Sequence, residues 1–191
     1  MKRLSSYRIY LFVSVALFLL SACSSTNKVA TNQPVQHDNR EKEKELKETY
    51  ATIVGVPAKD ISYPLYATIN EWYGTPYKFG GHSRQGVDCS DFASILFEKV
   101  YGISISGPCS SLLEQCKPIK EGDLKEGDLV FFKINSKTVS HVGVYLQNNK
   151  FVHASVHSGV VISDLTTDYY KKYFYKAGRI KNSLTQNSFK G

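Results

Sequence analysis

The chain has 191 residues, 42% of them hydrophobic, which is enough to build the core of one domain with extensions. Its net charge of +7 falls by three, to +4, if an N-terminal segment with Lys2, Arg3 and Arg8 is removed. Without a basic cluster interleaved with aromatic residues, this charge argues against a nucleic-acid-binding protein. It would suit an anionic polymer, a lipid surface or ordinary solubility.

The N-terminus has the parts of an export signal. The three basic residues form a positive region, and an apolar stretch of 12 residues, 9–20, follows. This stretch is too short to span a bilayer, which takes about 20 apolar residues. The run Leu20-Ser21-Ala22-Cys23 then resembles the bacterial lipobox, whose Cys becomes the lipidated N-terminus. We expect a lipoprotein signal peptide over 1–22 and lipidation of Cys23; a plain secretory signal is the alternative.

The residue after Cys23 is Ser24 and not Asp, which by analogy with enteric lipoproteins favours the periplasmic face of the outer membrane. A polar stretch without periodicity comes next. We predict a flexible tether over 23–44, a folded domain over 45–181 and a flexible tail over 182–191.

Three helices are predicted in the first half of the domain. The first begins in the charged run 41–48 and ends at Gly55 and Pro57, and the second covers 63–73. The third begins at Cys89 and runs to about Tyr101, because apolar residues recur on the face of Cys89.

Cys89 follows a glycine-rich loop and stands first in the third predicted helix. Asp88 is a good N-cap residue, and Asp91 adds negative charge to the first turn. The sulfur then lies at the positive end of the helix dipole, where a thiol becomes a thiolate. A small buried cysteine at the start of a core helix is the alternative.

The second half of the domain predicts strands. Apolar or alternating segments lie at 129–132, 139–146, 150–155, 160–163 and 175–180, with a short helix over 167–174. Helices followed by a meander of strands predict an α+β domain.

Two of the five histidines, His141 and His153, lie on predicted strands joined by a tight turn. With a three-residue loop at 147–149, Gly143 faces His153 and leaves room for a ring. The two histidines then share one face of the sheet, about 7–8 Å apart at Cα. A two-residue turn would place them on opposite faces unless a bulge intervened.

Lipidation of Cys23 leaves three of the four cysteines, so at least one is free or pairs with another molecule. Cys109 and Cys116 are one possible pair. In a regular helix their Cα atoms would be ~10.5 Å apart, too far for a disulfide, so pairing requires a turn between them.

Several motifs occur in the order typical of one known family. They are Asp88-Cys89-Ser90, GDLVFF at 127–132, SHVGVYL at 140–146 and FVHA at 151–154, with an entry segment at 73–81. The chain from about residue 64 to 180 therefore resembles the NlpC-type peptidoglycan peptidases. The lipobox makes it similar to the Spr-type lipoprotein members, which are murein endopeptidases.

The resemblance implies a papain-like fold with the Cys89 helix packed on an antiparallel sheet of about five strands. Cys89 would be the nucleophile, His141 the general base and then acid, and His153 the residue that orients His141. The backbone N–H of Cys89 would stabilise the oxyanion. No cofactor or metal is implied.

Three more residues are candidates for the oxyanion site or for substrate contacts. Tyr77 lies where family members carry a Tyr near the nucleophile, but it could equally be a core aromatic. Asp88 and Ser90 flank Cys89, and their alternative roles are in the helix cap and the first turn.

The sequence also departs from the family pattern. Asp91 stands where members often have Gly or Ala, and Pro108-Cys109-Ser110 replaces a Pro-Arg-Thr-like run. His82 and His157 could line the cleft or be solvated loop residues. Zinc binding by Cys89 and the histidines lacks a recognised spacing.

We expect a monomeric lipid-anchored cysteine endopeptidase that binds peptidoglycan peptides, meets the membrane through Cys23 and binds no nucleic acid. The bond cut would join D-glutamate or D-alanine to diaminopimelate. The alternatives are a non-catalytic wall-binding lipoprotein and a thiol amidase or acyltransferase on the same fold.

Overall fold

The structure is a computed structural model that describes residues 33–181, with side chains from Asp38 onward. The predicted signal peptide over 1–22, Cys23 and the tail over 182–191 lie outside the described residues. The folded unit that carries the site begins at Asp38. No helix in the part of the chain that the structure describes has both the length and the apolar character to cross a membrane.

Five α-helices are present between residues 33 and 181: α1 Gln33–Val54, α2 Tyr63–Trp72, α3 Cys89–Leu96, α4 Cys109–Glu114 and α5 Asp168–Tyr173. A π-helical turn, Phe97–Tyr101, continues α3 to Gly102, which has a left-handed φ of 64°. Short 3-10 turns lie at Ala58–Asp60 and Glu121–Asp123. The three helices predicted before residue 102 are confirmed, and α4 was not predicted.

Helix α1 begins inside the range predicted as a flexible tether. It starts at Gln33, and its exposed surface carries ion pairs one turn apart, Lys42 with Asp38 at 2.7 Å and Lys47 with Glu43 at 2.8 Å. Such i,i+4 pairs stabilise a helix by a few tenths of a kcal/mol each, so the charged run extends the helix toward the N-terminus. Residues 33–44 are therefore helical.

The strands form a two-stranded hairpin and a six-stranded antiparallel sheet. The hairpin pairs β1 His82–Ser83 with β2 Gly86–Val87. The sheet order is β3-β8-β4-β5-β6-β7, with β3 Cys116–Ile119, β4 Leu129–Phe132, β5 His141–Tyr145, β6 Lys150–Ser155, β7 Gly159–Asp164 and β8 Phe174–Ile180. The α+β class is confirmed. The extra strand, β3, lies at a sheet edge and contains Pro118, which weakens the strand signal in its sequence.

Two apolar clusters cover the two faces of the sheet. Val142, Val144 and Leu146 belong to the larger cluster, which also contains Cys89 and the buried residues of α2 and α3. Tyr145 and Phe151 belong to the smaller cluster, against which Tyr170 of α5 packs. The alternation predicted for β5 is confirmed, and it places His141 on the face of the smaller cluster.

Candidate active site

The Cys89 thiol is fixed at the first residue of α3 by the cap that precedes it. The Asp88 carboxylate accepts a bond from the backbone N–H of Asp91 at 2.9 Å and from that of Gly80 at 3.0 Å. The Ser90 hydroxyl donates to the same carboxylate at 2.8 Å. Asp88 therefore ties the glycine-rich loop to the start of the helix, which agrees with its alternative role as a cap.

The hairpin of β5 and β6 has the register that brings the two histidines together. Val144 pairs with Val152, and the Leu146 N–H donates to the Lys150 carbonyl at 2.8 Å, so the loop comprises residues 147–149. Asn148 and Asn149 both adopt left-handed φ values, 49° and 61°, which Asn tolerates better than most residues. The three-residue loop is confirmed, and the two-residue alternative is wrong.

The histidines share one face of the sheet and contact each other directly. Nε2 of His141 lies 2.8 Å from Nδ1 of His153, and the two rings are nearly perpendicular at 89°. The space above Gly143, expected to hold a histidine ring, holds Phe151 instead. A Cβ at Gly143 would lie 2.5 Å from Cδ2 of Phe151. The Phe151 ring stacks on His153 at 4.8 Å and so fixes the plane of that imidazole.

His153 is almost fully buried and has polar partners on both sides. Its Nε2 lies 3.0 Å from the Ser163 hydroxyl and 3.1 Å from the Tyr170 hydroxyl. Burial, and then repulsion by His141, lowers the pKa of His153 well below its ordinary value of 6.5. A neutral His153 that donates from Nε2 to these hydroxyls has a free lone pair on Nδ1, which accepts the N–H of His141.

This pairing leaves Nδ1 of His141 for Cys89. The His141 side chain and the backbone N–H of Val142 both act on the Cys89 sulfur and favour its charged form. The pKa of Cys89 lies well below its ordinary value. The largest cause is a hydrogen bond from Cys109, His141 contributes next through its own bond and charge, and burial opposes both. The site therefore favours a thiolate beside a base.

Cys109, at the start of α4, is the neighbour that sequence reasoning missed. Its sulfur lies 3.5 Å from that of Cys89, and both side chains are buried. The hydrogen bond to Cys89 and then burial raise the pKa of Cys109, so Cys109 keeps its proton and donates it toward Cys89. The two residues are 20 positions apart on separate helices, and no local pattern in the sequence joins them.

No disulfide joins Cys109 to Cys116. All three cysteines within residues 33–181 are free thiols. Cys116 lies on β3, where its thiol donates to the Leu112 carbonyl at 3.2 Å. The pairing considered from the sequence is therefore absent, because the Cys109 thiol contacts Cys89 and the Cys116 thiol bonds within its own segment.

Tyr77, Asp91 and His82 are further residues that the sequence analysis singled out. Tyr77 is half-buried, and its pKa is raised by burial first and then by the charges of Cys89 and Asp88. Asp91 is partly exposed with His82 4.0 Å from its carboxylate, and burial followed by the charge of Asp88 raises its pKa.

The other polar side chains within residues 38–181 do not form a metal centre. His157 is exposed on the turn after β6. Within the described part of the chain, no group of three or more His, Cys, Asp and Glu residues is arranged to hold a metal ion. Cys89, His141 and His153 supply the three kinds of group, a thiol and two imidazoles, from which nucleophilic catalysis with a base and an orienting residue can be built.

The family model described as the NlpC/P60 family matches residues 74–179, more than half of the chain. That range includes Cys89, both sheet histidines and all six strands of the large sheet except the last residue of β8. The match therefore covers the whole of the candidate site.

Known proteins resemble the chain over a longer range. It is 34% identical over 172 residues to the murein DD-endopeptidase MepS/murein LD-carboxypeptidase of Escherichia coli, covering 88% of this chain and 89% of that protein. It is 39% identical over 113 residues to the probable endopeptidase NlpC of the same organism, covering 59% of this chain and 73% of that one.

Solved structures share the fold. A Staphylococcus aureus protein described as similar to a lipoprotein of the NLP/P60 family superposes with a TM-score of 0.56 and 28% identity. The match covers 61% of this chain, which spans only 40% of that longer protein.

Proposed function

The chain belongs to the NlpC/P60 family, and from that premise we propose that it is a peptidoglycan hydrolase: a cysteine endopeptidase that cuts amide bonds in the stem peptides of the cell wall. The observation that carries the proposal is the contact of His141 with His153 at 2.8 Å, beside the Cys89 thiol at a helix start. A relative that covers most of this chain is named a murein endopeptidase, which supports the same reaction.

In the proposed reaction, the Cys89 thiolate attacks the carbonyl carbon of the scissile amide. The oxyanion that forms would accept the backbone N–H of Cys89, which as a first-turn N–H has no partner within the helix, and the Tyr77 hydroxyl is a second candidate donor. His141, protonated at Nδ1, gives its proton to the departing amine. Water activated by His141 then hydrolyses the thioester and restores Cys89.

His153 holds His141 in the tautomer that this reaction needs. With its own Nε2–H directed at Ser163 and Tyr170, His153 presents a lone pair to the Nε2–H of His141. The lone pair of Nδ1 on His141 is then the only one free to take the thiol proton. Because His153 is buried and remains neutral, it does not compete with His141 for that proton.

Two stem-peptide bonds remain candidates, D-glutamate to diaminopimelate within one stem and D-alanine to diaminopimelate between stems. The relative's designation as a DD-endopeptidase favours the cross-link, because that bond joins two D-configured centres. The Ser90 hydroxyl donates to the Asp88 carboxylate at the helix start, so both side chains already have partners in the cap. Mass analysis of the products from defined muropeptides assigns the bond.

The proposal places the protein on the periplasmic face of the outer membrane as a monomer anchored through lipidated Cys23. What supports the anchor is the lipobox-like run that ends at Cys23, directly after the apolar stretch. Replacing Cys23 with Ala should release the protein from sedimented membranes while leaving its hydrolysis of soluble muropeptides unchanged. A Cys23→Ala variant that still sediments with membranes contradicts the anchor and not the peptidase.

The test of the peptidase is hydrolysis of purified muropeptides by the mature protein and by Cys89→Ala. The wild type should release peptide fragments, and the variant should lose roughly 10⁴–10⁶-fold in rate while keeping its thermal transition. Cys116→Ala is the matched control, since it removes a buried thiol remote from the two histidines. Equal rates for wild type and Cys89→Ala, or wall binding without hydrolysis, would overturn the proposal.

A further inference from the structure

A second thiol lies against the proposed nucleophile, and the proposed reaction does not consume it. Cys89 and Cys109 are 4% and 7% exposed, and their sulfurs are 3.5 Å apart. We propose that a hydroperoxide oxidises this pair to a Cys89–Cys109 disulfide and that a dithiol reduces it again, so that the site is reversibly shut. Only the effect on activity rests on the proposed function; formation of the bond does not.

The geometry suits bond formation between these two sulfurs. A disulfide has an S–S length of about 2.05 Å, so the sulfurs must approach by roughly 1.5 Å. Each cysteine is the first residue of its helix, α3 or α4. At that position no preceding helical turn restricts rotation about χ1, so the approach can come from the side chains.

The two thiols differ in protonation in the way that stepwise oxidation requires. Cys89 is held as a thiolate by donors from Cys109, His141 and Val142, and thiolates react with peroxides. Cys109 stays protonated, so it does not react first. Cys89 is therefore the thiol that reacts with the hydroperoxide first. Cys109 already contacts the sulfur on which the sulfenic acid forms.

The oxidation has two steps, one at each sulfur. The Cys89 thiolate attacks an oxygen of the hydroperoxide, breaks the O–O bond and becomes a sulfenic acid, and the released alkoxide takes a proton from water. The Cys109 sulfur then attacks the Cys89 sulfur, the S–S bond forms, and the hydroxide leaves with the Cys109 proton as water. The peroxide has received two electrons in all. A dithiol returns them, regenerates both thiols and becomes a cyclic disulfide.

Cys116 offers a matched control for this chemistry. It is also buried, and its thiol donates to the Leu112 carbonyl at 3.2 Å. Burial raises the pKa of Cys116 to about 12, so it is a thiol at neutral pH. It shares the chemistry of Cys109 without the contact to Cys89.

The experiment uses the mature protein with wild-type sequence, Cys109→Ser and Cys116→Ser, each treated with a small excess of hydrogen peroxide. Intact mass should show loss of two hydrogens in the wild type, and peptide mapping should find the Cys89–Cys109 link. Muropeptide hydrolysis should fall with the link and return to at least about nine-tenths with dithiothreitol, in the wild type and in Cys116→Ser. In Cys109→Ser, Cys89 should pass to sulfinic acid, and dithiothreitol should not restore activity.

Sulfinic acid at Cys89 of the wild type, a link to Cys116, or unreacted thiols would each overturn the proposal. Recovery of Cys109→Ser to the same extent as the wild type would also do so. The mass and mapping results do not depend on hydrolysis, so an enzyme that proves inactive on muropeptides still decides whether the disulfide forms. If Cys109→Ser does not fold, the wild-type map alone gives the answer.

Discussion

Replacing Cys109 with Ala should raise the pKa of the Cys89 thiol, because it removes a hydrogen bond to the thiolate. The bond spans 3.5 Å between the two sulfurs and is the largest contribution to the lowered pKa. Hydrogen bonds to charged groups contribute about 1.5–3 kcal/mol, and S–H is a weak donor, so the lower figure applies. At 1.36 kcal/mol per unit, the pKa should rise by about one unit.

The assay is the rate of alkylation of Cys89 by iodoacetamide as a function of pH, in a background that carries Cys116→Ser. Because the hydrogen bond to Cys89 and then burial raise the pKa of Cys109, Cys89 is the thiol that reacts near neutral pH. The midpoint should rise by about one unit in Cys109→Ala, and the acidic limb of kcat/KM should rise with it. Cys109→Ser retains a donor at the same place and should recover most of the shift.

An unchanged midpoint in Cys109→Ala would refute the reasoning, because the Cys109 proton would then not be on the Cys89 sulfur. A midpoint that falls would show the reverse orientation, with Cys89 donating to Cys109. Thermal unfolding of both variants separates these outcomes from a loss of fold. The Ala and Ser variants leave similar volumes, so a shift shared by both would mark packing and not hydrogen bonding as the cause.

Two further predictions concern His153. The Nε2–H of His153 can donate to either hydroxyl, that of Ser163 or that of Tyr170. Ser163→Ala and Tyr170→Phe should therefore each lower kcat only a few-fold. The double variant should lose about 10–100-fold in kcat with KM unchanged. Additive losses in the double variant would contradict this shared role. His153 stays neutral in the folded protein at pH values below 6.5, where the unfolded chain binds a proton, so stability should fall as pH drops below about 6.5. Between pH 7 and 5, the free energy of unfolding measured with urea should change by up to about 1.4 kcal/mol per pH unit because of this group, and it should change less in His153→Gln. Equal slopes in the two proteins would contradict a neutral, buried His153.

The parts of the site that local sequence determines are the ones that could be predicted. Asp88 before an apolar helical pattern predicts the cap, and the cap places Cys89 at the helix start. Whether the two histidines share a face could be predicted only if the length of the loop between their strands was assumed. In the structure the loop has three residues, which Asn148 and Asn149 close with left-handed backbone conformations.

The parts that could not be predicted depend on contacts between distant elements. The donors around His153 come from β7 and α5, and neither Ser163 nor Tyr170 carries a local signal of that role. Phe151 fills the space over Gly143 because the strand pairing places it there, although the glycine alone suggested room for a histidine. Cys109 meets Cys89 only because α4 lies against the start of α3. Each of these contacts depends on tertiary packing, and no local periodicity in the sequence indicates it.

Activation and oxidation of Cys89 have one physical origin. The donors that stabilise its thiolate for attack on an amide also prepare it for attack on a peroxide, since both reactions need the same anion. Cys109 contributes to both reactions, because its S–H donates to the Cys89 thiolate and its sulfur forms the disulfide. Cys109→Ser separates the two contributions, because a hydroxyl can donate to the thiolate and cannot form a disulfide. If this variant keeps the low pKa of Cys89 and loses recovery by dithiothreitol, the hydrogen of Cys109 serves catalysis and its sulfur serves protection.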